Sequence, residues 1–275
     1  MLHSEFNSRK RSQCTPPATR EPTFTDFPLY NDSMLSDAIL IHGWDPNFYN
    51  SKIKNGSPDG IAWSHRSEFI EELSKRYNLK YYNLPGFAGT PEPDMKEYDV
   101  EDYSKDFAKW KKINSPNAKL IIGYSFGGAV ALVNKALMKD PTPTILISPA
   151  IMRGESMKSE IGGGIKKFVP NIIENQLKHL YQLLMSRYYR EGTPFLRKTY
   201  NIIVRRDLRY LLDKINPNEL LLIYGENDTD TSWKLVEKIA IKNSIGHHII
   251  QNGQHNIGQT NPIEIIKQID GFITQ

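Results

Sequence analysis

Leu120-Ile121-Ile122-Gly123-Tyr124-Ser125-Phe126-Gly127-Gly128-Ala129-Val130-Ala131-Leu132 is the stretch whose reading decides the fold. A short β-rich apolar run leads into Gly-x-Ser-x-Gly, and an apolar helical pattern follows. A sharp strand-to-helix turn strains the backbone at the serine and crowds its neighbours, and Gly123 and Gly127 clear that space. Ser125 is then expected at the top of a sheet, at a helix N-terminus whose amides and dipole favour a developing anion. The competing reading is a plain glycine-rich turn that cradles phosphate. Gly-x-Gly-x-x-Gly and the Walker pattern are both absent from this stretch, and no lysine follows the glycines. The serine therefore reads as a nucleophile.

Working outward, apolar strand-sized runs alternate with longer helical patterns from Ser36 onward, the signature of a parallel sheet covered on both faces. Strands are predicted at Ala38–Ile41, Leu79–Leu84, Lys119–Gly123, Thr144–Ile147, Leu220–Tyr224 and His248–Gln251. Helices are predicted at Ser64–Tyr77, Val100–Lys112, Phe126–Met138, Thr231–Ile241 and Pro262–Phe272, the last with proline in its first turn. Between Ile151 and Ile215 the rhythm stops, and only helical spacing is seen, as at Leu177, Leu180, Tyr181, Leu184, Met185 and Tyr188. This segment reads as a helical cap over the carboxyl ends of the strands, where open α/β sheets bind ligands. The expected organisation is thus an extension over 1–35, a core over 36–150 and 216–275, and a cap over 151–215.

From Ala38 to Thr274 the chain resembles the α/β-hydrolase superfamily. Besides the serine turn, four pieces match in order. Ile39-Leu40-Ile41-His42-Gly43-Trp44 is similar to the first core strand and oxyanion loop, and Tyr82-Asn83-Leu84-Pro85-Gly86-Phe87-Ala88-Gly89-Thr90 to the Pro-Gly-x-Gly turn after the next strand, with Asn83 and Ala88 in place of the commoner Asp and Gly. Gly225-Glu226-Asn227-Asp228 is similar to the turn that carries the acid, and Gly253-Gln254-His255 to the turn that carries the base. The resemblance implies an α/β-hydrolase fold with a mainly parallel sheet of about six strands, and a serine hydrolase activity.

A serine hydroxyl is a weak nucleophile and needs a base within hydrogen-bond reach. Of the seven histidines, only His255 falls in a strand-exit loop at the top of the sheet. His42 is better suited to hydrogen bonding within its loop. Asp228 would hold the imidazole in its tautomer and stabilise the imidazolium; Asp230 competes for that role, and Asp228 is preferred because it follows Gly225 by three residues. The resemblance places the oxyanion on the backbone amides of Trp44 and Phe126, and His42, Gly43, Tyr124, Pro149 and Met152 are expected around the substrate. The chemistry requires neither metal nor cofactor.

Composition narrows the rest. The 275 residues contain one cysteine, Cys14, so no disulfide forms within these residues, which suits a cytoplasmic location. No apolar run approaches the roughly 20 residues of a membrane-spanning helix. The net charge of +4 is too small to argue for nucleic acid. It is unevenly spread: residues 151–215 hold 13 Lys/Arg against 6 Asp/Glu. That balance reads either as a solvated helix face or as attraction to an acidic acyl substrate, a phosphate-bearing carrier or an anionic membrane. The leader, with Arg9-Lys10-Arg11 and four prolines, reads as a solvated tail. The expected reaction is hydrolysis of an ester-like bond in a small acyl substrate. Thioesterase, amidase or peptidase, carbon–carbon hydrolase and acyltransferase share the same machinery, and a non-catalytic binding module on this fold is the rival from another class.

Overall fold

A computed structural model describes residues 35–54, 56–152 and 187–274. Six strands form one parallel sheet: β1 (Asp37–Ile41), β2 (Asn78–Tyr82), β3 (Leu120–Tyr124), β4 (Thr144–Ile147), β5 (Leu220–Gly225) and β6 (Gly246–Ile250), in the order β2-β1-β3-β4-β5-β6. Every neighbouring pair is parallel. The four central strands are near-continuous runs of Ile, Leu and Ala because both of their faces are buried. The edge strands β2 and β6 carry Asn78, Lys80, His247 and His248 and are only partly covered.

The helices follow from right-handed crossovers. α1 (Ser67–Ser74) packs with the closing helix, α8 (Pro262–Ile273), and α2 (Val100–Asn114) packs with α3 (Phe126–Leu137). Two shorter helices, α6 (Glu237–Lys242) and α7 (Ile257–Thr260), flank β6. α2 starts at a capping box in which Asp99 and Asp102 bond each other's backbone N–H.

The chain leaves β1 toward the β2 edge, then returns past β1 to build β3 through β6 in the other direction. The strand order therefore reverses between β1 and β3, and the crevice at their carboxyl ends is where such sheets take ligands. His42-Gly43-Trp44 leave β1 there and Ser125 leaves β3 there.

The expected strand-and-helix alternation is borne out, with differences at element ends. β2 stops at Tyr82 because the Leu84 N–H donates to the His42 ring (3.0 Å) rather than to the sheet. The helix expected from Ser64 is a 3-10 turn, Ile61–Arg66, before α1 begins. The one expected over 231–241 is likewise split into a 3-10 turn, Trp233–Leu235, and α6. β6 begins earlier than expected, at Gly246, which faces Leu221.

The 1–34 leader and residues 153–186 of the expected cap, with Lys166, Lys167 and the pattern from Leu177 to Met185, lie outside the described residues. The remainder of that segment forms α4 (Arg187–Arg190), α5 (Pro194–Ile203) and a 3-10 turn at Arg209–Lys214. Of the eight cations among its described residues, three pair with carboxylates. Arg187 pairs with Glu191, Arg206 with Asp99 and Glu101, and Arg209 with Asp207. Arg197 donates to the carbonyls of Tyr189 and Arg190. Among the described residues, no helix is long and apolar enough to cross a membrane.

Candidate active site

Ser125 sits between β3 and α3 with φ +50° and ψ −115°, a conformation that side chains rarely adopt. The surroundings hold it there. Its N–H donates to the Ile147 carbonyl and its carbonyl accepts from the Ala150 N–H, both at 2.9 Å, so β4 and the loop after it fasten the strained residue on both sides. Gly123 and Gly127 permit the turn. A Cβ on Gly123 would lie 2.7 Å from the Gly127 carbonyl oxygen, and one on Gly127 would collide with the carbonyl oxygens of Ile41 and His42.

The Ser125 hydroxyl is 3.0 Å from His255 Nε2, and His255 Nδ1 is 2.9 Å from Asp228 Oδ2. In the tautomer that satisfies both contacts, Nδ1 donates to the carboxylate and Nε2 accepts from the hydroxyl. Three residues from three strand exits thus form one hydrogen-bonded line. Ser125 is 7% exposed, Asp228 3%, and His255 is intermediate.

Asp228 is held as a carboxylate. Burial alone would push its carboxyl up, but the His255 bond and charge, together with the Thr231 amide and hydroxyl, outweigh it and bring it below the usual range. Oδ1 accepts from the N–H groups of Asp230 and Thr231, both at 2.9 Å. The Thr231 hydroxyl lies 2.8 Å from Oδ2, 3.0 Å from the Ser148 carbonyl and 3.3 Å from His255 Nδ1. Asp230 is exposed and takes no part in this line.

The N–H of Trp44, in the β1 exit loop, and that of Phe126, the first residue of α3, donate to no acceptor among the described residues. Both residues are buried. The Trp44 indole is held in place: its Nε1–H donates to the Tyr49 hydroxyl (2.7 Å), which donates in turn to the Tyr188 carbonyl (2.7 Å).

Ser125 and His255 open on a cavity whose wall includes Gly43, Trp44 and Tyr124. Tyr124, just before the serine, donates from its hydroxyl to the His255 carbonyl at 2.5 Å and so ties the two turns together. Three residues expected around the substrate do not line this cavity. Pro149 is buried against Gly128, and Met152 lies further along the chain, outside the cavity wall. His42 is buried beneath the loop, its Nδ1 donating to the Gly43 carbonyl (2.7 Å) and its Nε2 accepting from Leu84. Six lining residues lie outside those motifs: Asp45, Ala62, Arg66, Tyr188, Asp230 and Asn256.

His42 yields a stability prediction. Burial pushes its imidazole down from 6.5 to about 4, and a proton on Nε2 would face the Leu84 N–H. Between those two values the unfolded chain binds the proton and the folded one does not. His42 therefore contributes stability in full above about pH 6.5, lost as the pH falls toward 4, on the order of 3 kcal/mol in all. In urea denaturation across that window, wild type should lose stability more steeply than His42→Gln; parallel curves would contradict the assignment.

A model of the alpha/beta hydrolase family matches residues 38–266. No curated protein matches the sequence. Among solved structures, the chain is similar to a meta-cleavage product hydrolase from Pseudomonas fluorescens, at 17% identity and TM-score 0.60, covering 87% of this chain and 90% of that one. It is similar to an esterase from Exiguobacterium antarcticum, at 13% identity and TM-score 0.57 over 87% and 92% of the two chains. A bromoperoxidase from Bacillus anthracis gives 16% identity and TM-score 0.59 over 88% and 92%. At such identities the likeness is one of fold.

Proposed function

The chain belongs to the alpha/beta hydrolase family, and from that premise we propose that it is a serine hydrolase cleaving a carboxylic ester-like bond through an acyl-enzyme. The observation that carries this reading is the unbroken line from the Ser125 hydroxyl through His255 to the buried Asp228 carboxylate. Ser125 Oγ attacks the acyl carbon while His255 Nε2 takes its proton. Asp228 keeps the ring oriented and stabilises the imidazolium. The developing oxyanion takes the Trp44 and Phe126 N–H groups, whose lack of other acceptors suits them to it, and the α3 dipole assists. His255 then protonates the leaving alcohol. A water molecule, deprotonated by His255, attacks the acyl-enzyme and releases the acid with Ser125 restored. No step calls on a metal or cofactor.

Residues 151–215 serve in this proposal as a cap that shapes the acyl pocket, and Tyr188 from α4 already lines the cavity. The single cysteine supports a cytoplasmic placement. The test is turnover of a short-chain aryl ester by wild type and by Ser125→Ala. Turnover lost in the variant supports the proposal, and turnover retained overturns it.

A further inference from the structure

We propose that Arg66 anchors a carboxylate carried by the substrate, so that the preferred ester is one whose acyl group ends in an acid. The proposal rests on the hydrolase reading above and names its substrate class.

Arg66 ends the 3-10 turn before α1, and its guanidinium lies 3.9 Å from the centroid of the Tyr124 ring and 5.8 Å from that of Trp63. Its stem occupies the space over Gly258 in α7, where a Cβ would come within 3.1 Å of Arg66 Cδ. The guanidinium is therefore lodged between the turn that carries Ser125 and the turn that carries His255, and it lines the same cavity as both.

Part of its hydrogen-bonding capacity is unspent. Arg76, Arg187, Arg206 and Arg209 each hold a carboxylate. Arg66 forms no ion pair among the described residues, and its buried Nε–H has no acceptor. The two acids on the cavity wall do not supply one. Asp45 accepts from the Asn47 N–H at the start of a 3-10 turn, and Asp230 is exposed to water. A buried donor without an acceptor costs free energy until one arrives, and a cation pinned on aromatic rings keeps its N–H edge free for an in-plane partner. The planar fork of a guanidinium matches the two oxygens of a carboxylate, and partial burial strengthens the pair. A carboxylate held there fixes the far end of the acyl chain while its ester carbonyl meets Ser125. Hydrolysis adds one water across the acyl–oxygen bond and releases a dicarboxylic acid and an alcohol; the anchored carboxylate is unchanged.

The experiment compares kcat/KM for the mono-4-nitrophenyl ester of adipic acid and for the same ester with its free end methyl-capped. It uses wild type, Arg66→Met and Arg66→Lys. Wild type is expected to favour the acid-ended ester by at least about tenfold. The ratio should fall to near one in Arg66→Met, with Arg66→Lys between, and Arg66→Lys decides the matter should Arg66→Met fail to fold. Free adipate should slow fluorophosphonate labelling of Ser125 in wild type but not in Arg66→Met. A wild-type ratio near one overturns the anchor while leaving the hydrolase reading in place. So does an equal fall for both esters in Arg66→Met, which marks Arg66 as a packing wedge. If neither ester is cleaved and Ser125 is never labelled, the hydrolase reading fails and the anchor falls with it.

Discussion

Replacing Ser125 with alanine is expected to lower kcat for a short-chain aryl ester by roughly a million-fold, with the fold intact. The hydroxyl is the only atom the substitution removes, and it is the atom that contacts His255 Nε2. Without it no acyl-enzyme forms, and what survives is binding plus oxyanion stabilisation, worth about a thousand- to ten-thousandfold over water. The fold should survive because the strained backbone is held by main-chain bonds to Ile147 and Ala150, which alanine keeps. Loss of one side-chain hydrogen bond should move the thermal midpoint by only about 2–4 °C in a domain of this size. Turnover retained with an unchanged midpoint would show that the chemistry lies elsewhere.

The second large effect is expected at Asp228. Asp228→Asn should lower kcat by about ten-thousandfold. The carboxylate accepts from four donors: two backbone N–H groups, the Thr231 hydroxyl and His255 Nδ1. An amide cannot satisfy that set. With its NH2 toward His255 it forces the proton onto Nε2, and the base facing Ser125 is lost. Turned the other way, the NH2 confronts the N–H groups of Asp230 and Thr231. Asp230→Asn, which leaves all four bonds in place, should cost less than about tenfold. Steady-state kinetics on the two variants side by side gives the answer; equal losses would contradict the assignment of the acid.

Much of this was legible in the sequence because the decisive features are local. Gly123, Gly127 and the apolar runs around them mark a crowded strand-to-helix turn whatever the rest of the chain does. A parallel sheet buried on both faces writes itself as short Ile/Leu runs, which is why the central strands are clear and the polar edge strands shift by a residue or two. The serine, aspartate and histidine turns each follow a strand, so their meeting at one rim follows from the strands being parallel.

What escaped the sequence is tertiary. Arg66 reaches the cavity because a 3-10 turn precedes α1, and no periodicity in Ile61–Arg66 announces it. Tyr49 accepts from Trp44 and donates to Tyr188, which lies 139 positions further along the chain. The Thr231 hydroxyl reaches Asp228 through the fold of the turn, and only the bond from the Asp230 N–H, two residues on from the acid, follows a local turn pattern. His42 takes the hydrogen-bonding place within its loop rather than one against the cavity: Gly43 and Trp44 face the cavity, whereas the Leu84 N–H holds the His42 ring beneath the loop.

The central claim is that Ser125 is activated by His255, and covalent labelling tests it most directly. A fluorophosphonate probe forms a phosphorus–oxygen bond to an activated serine and expels fluoride. Peptide mapping by mass spectrometry should find the adduct on Ser125 in wild type and lose it in His255→Ala. An unlabelled Ser125 in folded wild type, or labelling undiminished in His255→Ala, would contradict the account.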